Sequence, residues 1–464
     1  MDTLILIWQI TLSFGVVVAA LMVTHILQNQ QSRTRTLSWI LGIILVPYIG
    51  VPLYYLIGGR KSGFYLRNRG HMHFLESKTV SVDLEDSVDK VLRSYGVPGA
   101  VSGNKIDLCV TGQQAYYSLI YLIEGAKKSI YISTYIFEDD NVGKEILQRL
   151  VKKAESGVEV LVLVDDAGNH YVPNSFFKPL RDAGGKFGLY NRVASKFLVG
   201  RANLRNHRKI VVVDAQQVFA GGMNLAEDYM SPEPIEGQWK DLSFVLEGPA
   251  VWFFLAIFHS NWEFATGEHL PTEDLHCPEA LESSGHTEVA QVVASGPDVE
   301  EDPLYAAILS SIYEAKERCW IVTPYFIPDD ALAQALELAA HRGVDVRILV
   351  PYKSNHPLTD LARRSYLRQI AGANGKILLY LGGMVHAKAG LIDNRLAWCG
   401  SANMDMRSLF LNYESVMFVY SEKTIQAIEE WMLGLMSNVR HGVRVSSKMQ
   451  LIFEGLIRLF APLL

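Results

Sequence analysis

The chain is poor in cysteine, close to neutral overall, and has two long stretches with no charged residue. Cys109, Cys277, Cys319 and Cys399 are the only four in 464 residues, and no two share a CxxC spacing. This argues against a zinc ribbon and offers no disulfide framework, so they read as isolated reduced thiols. Lys and Arg number 43 against 49 Asp and Glu, a net charge of -6. No global field therefore draws the chain to a polyanion. Asp, Glu, Lys and Arg are absent from Thr3 to Gln31 and again from Thr36 to Gly59. Each stretch exceeds the roughly 20 residues with which a helix crosses a bilayer. The first lacks the basic n-region and small-residue cleavage site of a signal peptide.

Residues 1–60 are therefore expected to form a transmembrane helical hairpin. Trp39, Tyr48, Tyr54 and Tyr55 lie near the ends of the second span, where aromatic rings suit the interface. Pro47 and Pro52 are expected to kink it. The hairpin loop carries Arg33 and Arg35, and the far side carries Arg60, Lys61, Arg67 and Arg69. Positive charge thus puts both ends of the hairpin, and the main body, on the cytoplasmic side.

Past a connector at 61–104, in which "SVDLEDSVDKVLRSYG" has the pattern of a short amphipathic helix, the sequence repeats itself. "AKKSIYISTYIFEDD" (126–140) is echoed by "AKERCWIVTPYFIPDD" (315–330), and "SGVEVLVLVDD" (156–166) by "RGVDVRILVP" (342–351). Apolar runs such as "EVLVLV" and "KIVVVD" suit buried strands. "NVGKEILQRLVKKAESG" and "DDALAQALELAAHRG" have helical patterns closing at a glycine. Strand, helix, strand in this order predicts an α/β fold with a parallel sheet and right-handed crossovers. The units run over 105–270 and 286–440, joined by a polar linker at 271–285, with an apolar but charge-interrupted tail at 441–464.

Both units contain one polar skeleton. "NHRKIVVVDAQQVFAGGMN" (206–224) and "VHAKAGLIDNRLAWCGSAN" (385–403) share His, Lys, Asp, a small pair and Asn, at an offset of 179. Side chains at i and i+2 of a strand share a face, so His207 pairs with Lys209 and His386 with Lys388. Asp214 and Asp393 fall at the odd offset of seven from their histidines. They are expected on the other face, as buried hydrogen-bonding supports. An imidazole can attack or protonate, and an ammonium stabilises a phosphoryl oxygen. Two facing copies supply a nucleophile, a proton donor, two Lys and two Asn. That is a complete double-displacement phosphoryl-transfer site, for which neither metal nor other cofactor is expected.

The skeleton resembles the HxKx4D motif of the phospholipase D superfamily, and nearly the whole chain resembles bacterial cardiolipin synthases. "GQWKDL" (237–242), "EGPAV" (247–251), "ASGP" (294–297), "TPYFIPDD" (323–330) and "ANMDMRSLFLNYE" (402–414) carry the narrower likeness. The resemblance implies two pseudo-twofold-related α/β halves. It makes His207 the nucleophile and His386 the general acid and base. Lys209, Lys388, Asn224, Asn403 and Ser401 would bind phosphate, while Asp241 and Glu414 would orient the histidines. Asp241 follows His207 by 34 residues, and Glu414 follows His386 by 28. Where the family has Gly-Ser, as at Gly400–Ser401, the first copy reads Gly221–Gly222. The implied reaction joins two phosphatidylglycerols into cardiolipin and releases glycerol, at the bacterial inner membrane.

The basic and apolar "RVASKFLVGRANLRNHRK" (192–209) suits a phosphate-rich lipid surface, or is an ordinary solvated loop. "MQLIFEGLIRLFAPLL" (449–464) is too short to span, and either lies in the interface or packs on the body. A hydrolytic phospholipase D would use the same residues with water as acceptor. A nucleic-acid phosphodiesterase would need a basic groove with stacking aromatics, against the acidic balance found here. A scaffold without activity would be expected to have broken motifs, and both are intact.

Overall fold

A computed structural model describes residues 2–28, 33–54, 81–190, 204–272, 276–281, 285–443 and 447–458. The basic cluster from Arg60 to Arg69 and the loop residues 192–203 lie outside this set. The chain divides into two compact units, one at the N-terminus and one holding the repeats.

The N-terminal unit has helices at Asp2–Gln28, Arg33–Leu45 and Pro47–Leu53. The second apolar stretch is thus broken rather than kinked. Val46 leaves the helical region at φ -142°, as the residue before a proline tends to, and Pro47 starts a new helix. Ala19, Met22, Ile26, Ile43 and Tyr54 form its small core, with Trp39 edge-on to Tyr54 at 5.4 Å. Among the described residues no helix is long and apolar enough to cross a membrane.

In the body the first repeat supplies β1 (Val101–Cys109), β2 (Ser129–Thr134), β3 (Glu159–Asp165), β4 (Lys186–Tyr190), β5 (Ile210–Val213), β6 (Gln217–Gly221) and β7 (Ser243–Glu247). The second supplies β8 (Glu288–Ser295), β9 (Arg318–Val322), β10 (Phe326–Ile327), β11 (Asp345–Pro351), β12 (Lys376–Tyr380), β13 (Ala389–Ile392), β14 (Leu396–Gly400), β15 (Met404–Asp405), β16 (Glu414–Val419) and β17 (Val439–His441). Among the described residues fifteen of these strands make one sheet. Outward from the central antiparallel pair β1 and β8, one half reads β1, β7, β6, β5, β2, β3, β4. The other reads β8, β16, β14, β13, β9, β11, β12 and adds β17 at its edge. The repeat is thus a pseudo-twofold in the sheet itself.

The sheet is mixed, which corrects the expectation of a parallel one. β2–β3–β4 and β9–β11–β12 run parallel, with helices Asn141–Glu155 and Asp330–His341 as crossovers. β5–β6–β7 and β13–β14–β16 run antiparallel. The physical reason is loop length. Only three residues join β5 to β6 and β13 to β14, and a parallel connection needs a dozen or more. Asp140 and Asp329 cap the crossover helices by accepting from Gly143 N at 2.7 Å and Leu332 N at 3.1 Å. Val160 to Val164 on β3 are at most 1% exposed, and each such side chain contributes about 1.5–3 kcal/mol. The connector helix Ser87–Ser94 buries Val88 and Leu92 in the core of the second half.

Candidate active site

Each histidine stretch runs extended into a strand, residues 206–209 into β5 and 385–388 into β13. At the histidines themselves the backbone hydrogen bonds cross to the other half. His207 N donates to Tyr413 O at 2.9 Å and Tyr413 N to Arg205 O at 2.9 Å. His386 N donates to Lys240 O at 2.7 Å and Lys240 N to Met384 O at 2.8 Å. Parallel bridges Asn206–Tyr413 and Lys240–Val385 therefore stitch each histidine to the opposite half, beside that half's carboxylate.

The carboxylates consequently serve across the halves. His207 Nδ1 lies 3.1 Å from Glu414 Oε2 and 3.1 Å from Ser401 O. His386 Nδ1 lies 2.7 Å from Asp241 Oδ2. With acceptors at Nδ1, that nitrogen carries the proton and Nε2 keeps its lone pair. The carboxylate that follows each histidine in sequence belongs to the other ring, which chain spacing alone does not reveal.

Both rings line one cavity of about 470 Å³, the size of a small-ligand site. Lys209 and Lys388 are buried beside the rings. Lys209 Nζ donates to His207 O at 2.8 Å. Lys388 Nζ bonds His386 O and lies 2.7 Å from Nδ1 and 3.1 Å from Nε2 of that ring. Asn224 and Asn403 also line the cavity. Asn224 Oδ1 accepts from Ile136 N at 3.2 Å, whereas Asn403 Oδ1 is buried without a hydrogen-bond partner among the described residues. Ser401 does not line the cavity, and its hydroxyl donates to Glu414 Oε2 at 2.5 Å. Its repeat counterpart Gly222 has no room for a side chain, since a Cβ there would meet Asp241 Oδ1 at 2.1 Å. The Gly-Gly departure is thus matched to the carboxylate beside it.

Asp214 and Asp393 lie elsewhere. They are half-buried rather than buried, and open the β5–β6 and β13–β14 turns at φ 53° and 51°. Asp214 accepts from the amides of Lys127, Lys128 and Ser129 at 2.7–2.9 Å. Asp393 does the same for Lys316, Glu317 and Arg318. Each carboxylate fixes the entry to the neighbouring strand β2 or β9, and neither lines the cavity.

The electrostatics suit an anion. Burial lowers Lys209 to about 7, opposed by Glu414 and assisted by Lys388. Burial lowers Lys388 to about 8, against the pull of Asp241 and Glu414. Burial and then Lys388 drive His386 down to about 3, and burial also lowers His207. Burial alone would raise Asp241 and Glu414, but Lys388 and His386 outweigh it at Asp241, and His207 and Lys209 at Glu414. Both carboxylates end below their ordinary range. A phosphodiester entering this cluster supplies the negative charge that restores protons to the lysines.

Several residues escaped the sequence reading. Arg208, between His207 and Lys209, points to the opposite face and bonds Asp298, Asn261 and the Ser295 carbonyl. Its repeat counterpart is Ala387. Tyr135 packs edge-on to His207 at 5.2 Å, and Tyr229 and Trp239 pack on His386 at 5.1 and 5.3 Å. Tyr135 and Tyr325 stand at matched positions of the two repeats, which is a signal that was there to read. Arg205, Arg407 and Asp405 also line the cavity.

The family model described as "Cardiolipin synthase, PLD-like domain" matches residues 119–234 and 308–436. A second, "Phospholipase_D-nuclease N-terminal", matches 17–59. "Cardiolipin synthase 1" of Bacillus anthracis is 32% identical over 94% of this chain and 90% of its own. "Cardiolipin synthase" of Clostridium perfringens (strain SM101 / Type A) is 33% identical over 94% and 95%. The fold is similar to the solved phosphatidylserine synthase of Haemophilus influenzae Rd KW20, with a TM-score of 0.61 over 82% of this chain and 98% of that one, at 16% identity. Two matched repeats, two histidines on one cavity and relatives aligned over almost the full length agree: this chain belongs to the cardiolipin synthase family of phospholipase D-like proteins.

Proposed function

We propose that the protein transfers a phosphatidyl group from one phosphatidylglycerol to another, releasing glycerol and forming cardiolipin. The observation that carries this is the pair of imidazoles, each held by the other half's carboxylate, on one cavity above two buried lysines. One Nε2 attacks phosphorus; a P–N bond forms, the P–O bond to glycerol breaks, and the other imidazole gives the leaving oxygen its proton. That imidazole then takes the proton of the second lipid's hydroxyl, whose oxygen attacks phosphorus and breaks the P–N bond. His207 is assigned to attack and His386 to proton transfer. The incoming phosphate offsets the Lys388 charge and brings His386 back toward a range in which it carries a proton. Lys209, Lys388, Asn224 and Asn403 stabilise the phosphoryl oxygens.

A lipid surface fits the rest of the chain. Leu21, Leu27, Ile44 and Leu45 of the N-terminal helices are 57–76% exposed, which suits an anchor in the bilayer with the body on the cytoplasmic side. The C-terminal helix Lys448–Arg458 is amphipathic with one charge, Glu454, turned inward. Glu454 is buried against Arg364 and Arg368 on helix Pro357–Gly372, while Met449, Ile452 and Phe453 are 57–75% exposed. Pro357 and Leu358, at the start of the helix it docks on, line the cavity. This apolar face is read as lying in the headgroup layer at the cavity mouth. An environment-sensitive dye on Ile452→Cys should shift to the blue on anionic vesicles, and an unchanged spectrum would refute that part.

The decisive assay for the reaction is incubation of the purified full chain with phosphatidylglycerol vesicles. Cardiolipin and glycerol in equal amounts are expected. Phosphatidic acid without cardiolipin would instead identify a hydrolase.

A further inference from the structure

The pseudo-twofold is broken at two basic cavity residues. The offset of 179 carries Arg205 onto Met384, and Arg407 back onto Asp228. Arg205 and Arg407 line the cavity, whereas Met384 and Asp228 are not among its walls. The two arginines come from opposite halves and are brought together by the cross-half stitching. The Arg205 carbonyl accepts from Tyr413 N, and Arg407 lies in the short helix Met406–Phe410 that leads into Tyr413. Arg205 is 12% exposed and 3.8 Å from the buried Asp165. Burial lowers the Arg407 pKa, Asp405 opposes, and Arg205 adds to the fall, so the two guanidiniums feel each other.

A single phosphodiester does not account for this pair. The donor's one negative charge already meets two lysines and two asparagines that obey the repeat. Reaction between two phosphatidylglycerols brings a second phosphate into the site, separated from the attacking hydroxyl by the three carbons of a glycerol. That phosphate needs cations on one flank only, and a guanidinium is the side chain that grips a phosphate through paired hydrogen bonds.

We propose that Arg205 and Arg407 form a separate subsite for the phosphate of the accepting lipid, so that the enzyme selects a phosphate-bearing alcohol over neutral alcohols and water. This rests on the transferase reading above. The donor site obeys the pseudo-twofold, and the acceptor site is where the repeat departs from it.

The test compares acceptors that differ in one phosphate. The full chain, in phosphatidylglycerol vesicles, is given labelled glycerol or labelled glycerol 3-phosphate, and cardiolipin, exchanged phosphatidylglycerol, phosphatidylglycerophosphate and phosphatidic acid are measured. The wild type should prefer glycerol phosphate to glycerol. Arg205→Gln and Arg407→Gln should each lower cardiolipin formation relative to glycerol exchange by about 10–100-fold, with the preference for glycerol phosphate lost. Arg205→Lys and Arg407→Lys should fall between. Each ratio is internal to one preparation, so partial unfolding does not change it. An unchanged ratio, whether both activities fall together or neither does, overturns the subsite, as does a wild type indifferent to the phosphate on soluble acceptors. A wild type that makes neither cardiolipin nor exchanged lipid would overturn the transferase reading itself. Cardiolipin formation that depends on the arginines without any preference for soluble glycerol phosphate would show that the residues read the lipid surface, and would also overturn the proposal.

Discussion

Glu414 Oε2 lies 3.1 Å from His207 Nδ1, and the two residues belong to opposite halves of the repeat. The same crossing joins Asp241 to His386 at 2.7 Å. Neither half therefore holds a complete histidine–carboxylate pair of its own. Glu414→Gln and Asp241→Asn keep the shape but remove the charge that holds Nδ1–H. Turnover should fall by about 10²–10⁴-fold, the range seen when a histidine loses its orienting carboxylate. Steady-state cardiolipin formation checks this, and a loss under about threefold would contradict it.

The small pair after each skeleton gives an asymmetric prediction. Gly222→Ser drives a side chain into Asp241, whose Oδ1 would be 2.1 Å from the new Cβ. The carboxylate must leave His386, and activity should drop by at least about 100-fold. Ser401→Gly removes a hydroxyl that donates to Glu414 and accepts from Ser415 N, while Glu414 keeps His207. A loss of about tenfold or less is expected. Equal losses in the two variants would contradict the account.

Asp393 acts on stability. It accepts three amides and opens its turn at φ 51°, a conformation that Asp and Asn tolerate better than Ala. Asp393→Ala should destabilise the fold by about 3 kcal/mol, and Asp393→Asn by less. Thermal unfolding measures both. An inactive Asp393→Ala protein with an unchanged melting transition would put the carboxylate at the chemistry instead.

The sequence made the repeat legible because identical spacing over nineteen residues survives in the string, and strands such as β3 are uninterrupted apolar runs. Strand parity set Asp214 and Asp393 off the His–Lys face as buried supports, whereas both stand half-buried in turns at positive φ, past the last strand residue. The sequence did not reveal which carboxylate serves which ring. That depends on two bridges, Asn206–Tyr413 and Lys240–Val385, that join segments far apart in the chain. The mixed sheet follows from the three-residue β5–β6 and β13–β14 turns, whose strand limits the apolar runs alone do not mark. Arg205 and Arg407 are not legible from the repeat, because their counterparts at the same offset are Met384 and Asp228.

The lysine environment predicts a pH dependence. Lys209 has a folded pKa of about 7 against an ordinary 10.5, and Lys388 about 8. Between those folded values and 10.5 the unfolded chain holds protons that the empty folded site lacks. Stability of the unliganded protein should therefore rise with pH through that window. An anion favours the charged lysines, so binding takes up protons there. Affinity for inorganic tungstate or phosphate should weaken as pH rises above about 8, approaching tenfold per pH unit for each proton taken up. Calorimetric titrations at several pH values would read this, and an affinity that is flat from pH 7 to 9 would contradict it.

The central claim is a phosphohistidine passed between two lipids, and trapping it is the most direct measurement. A nitrophenyl phosphodiester needs no acid to release its leaving group. His386→Ala should therefore form the covalent enzyme in a burst and then stall, because no base activates the second alcohol. His207→Ala should form none. After denaturing quench, peptide mapping should find the phosphoryl group on His207. Finding it on His386 would reverse the two roles, and finding it on neither histidine, while cardiolipin is still made by the wild type, would contradict the double displacement altogether.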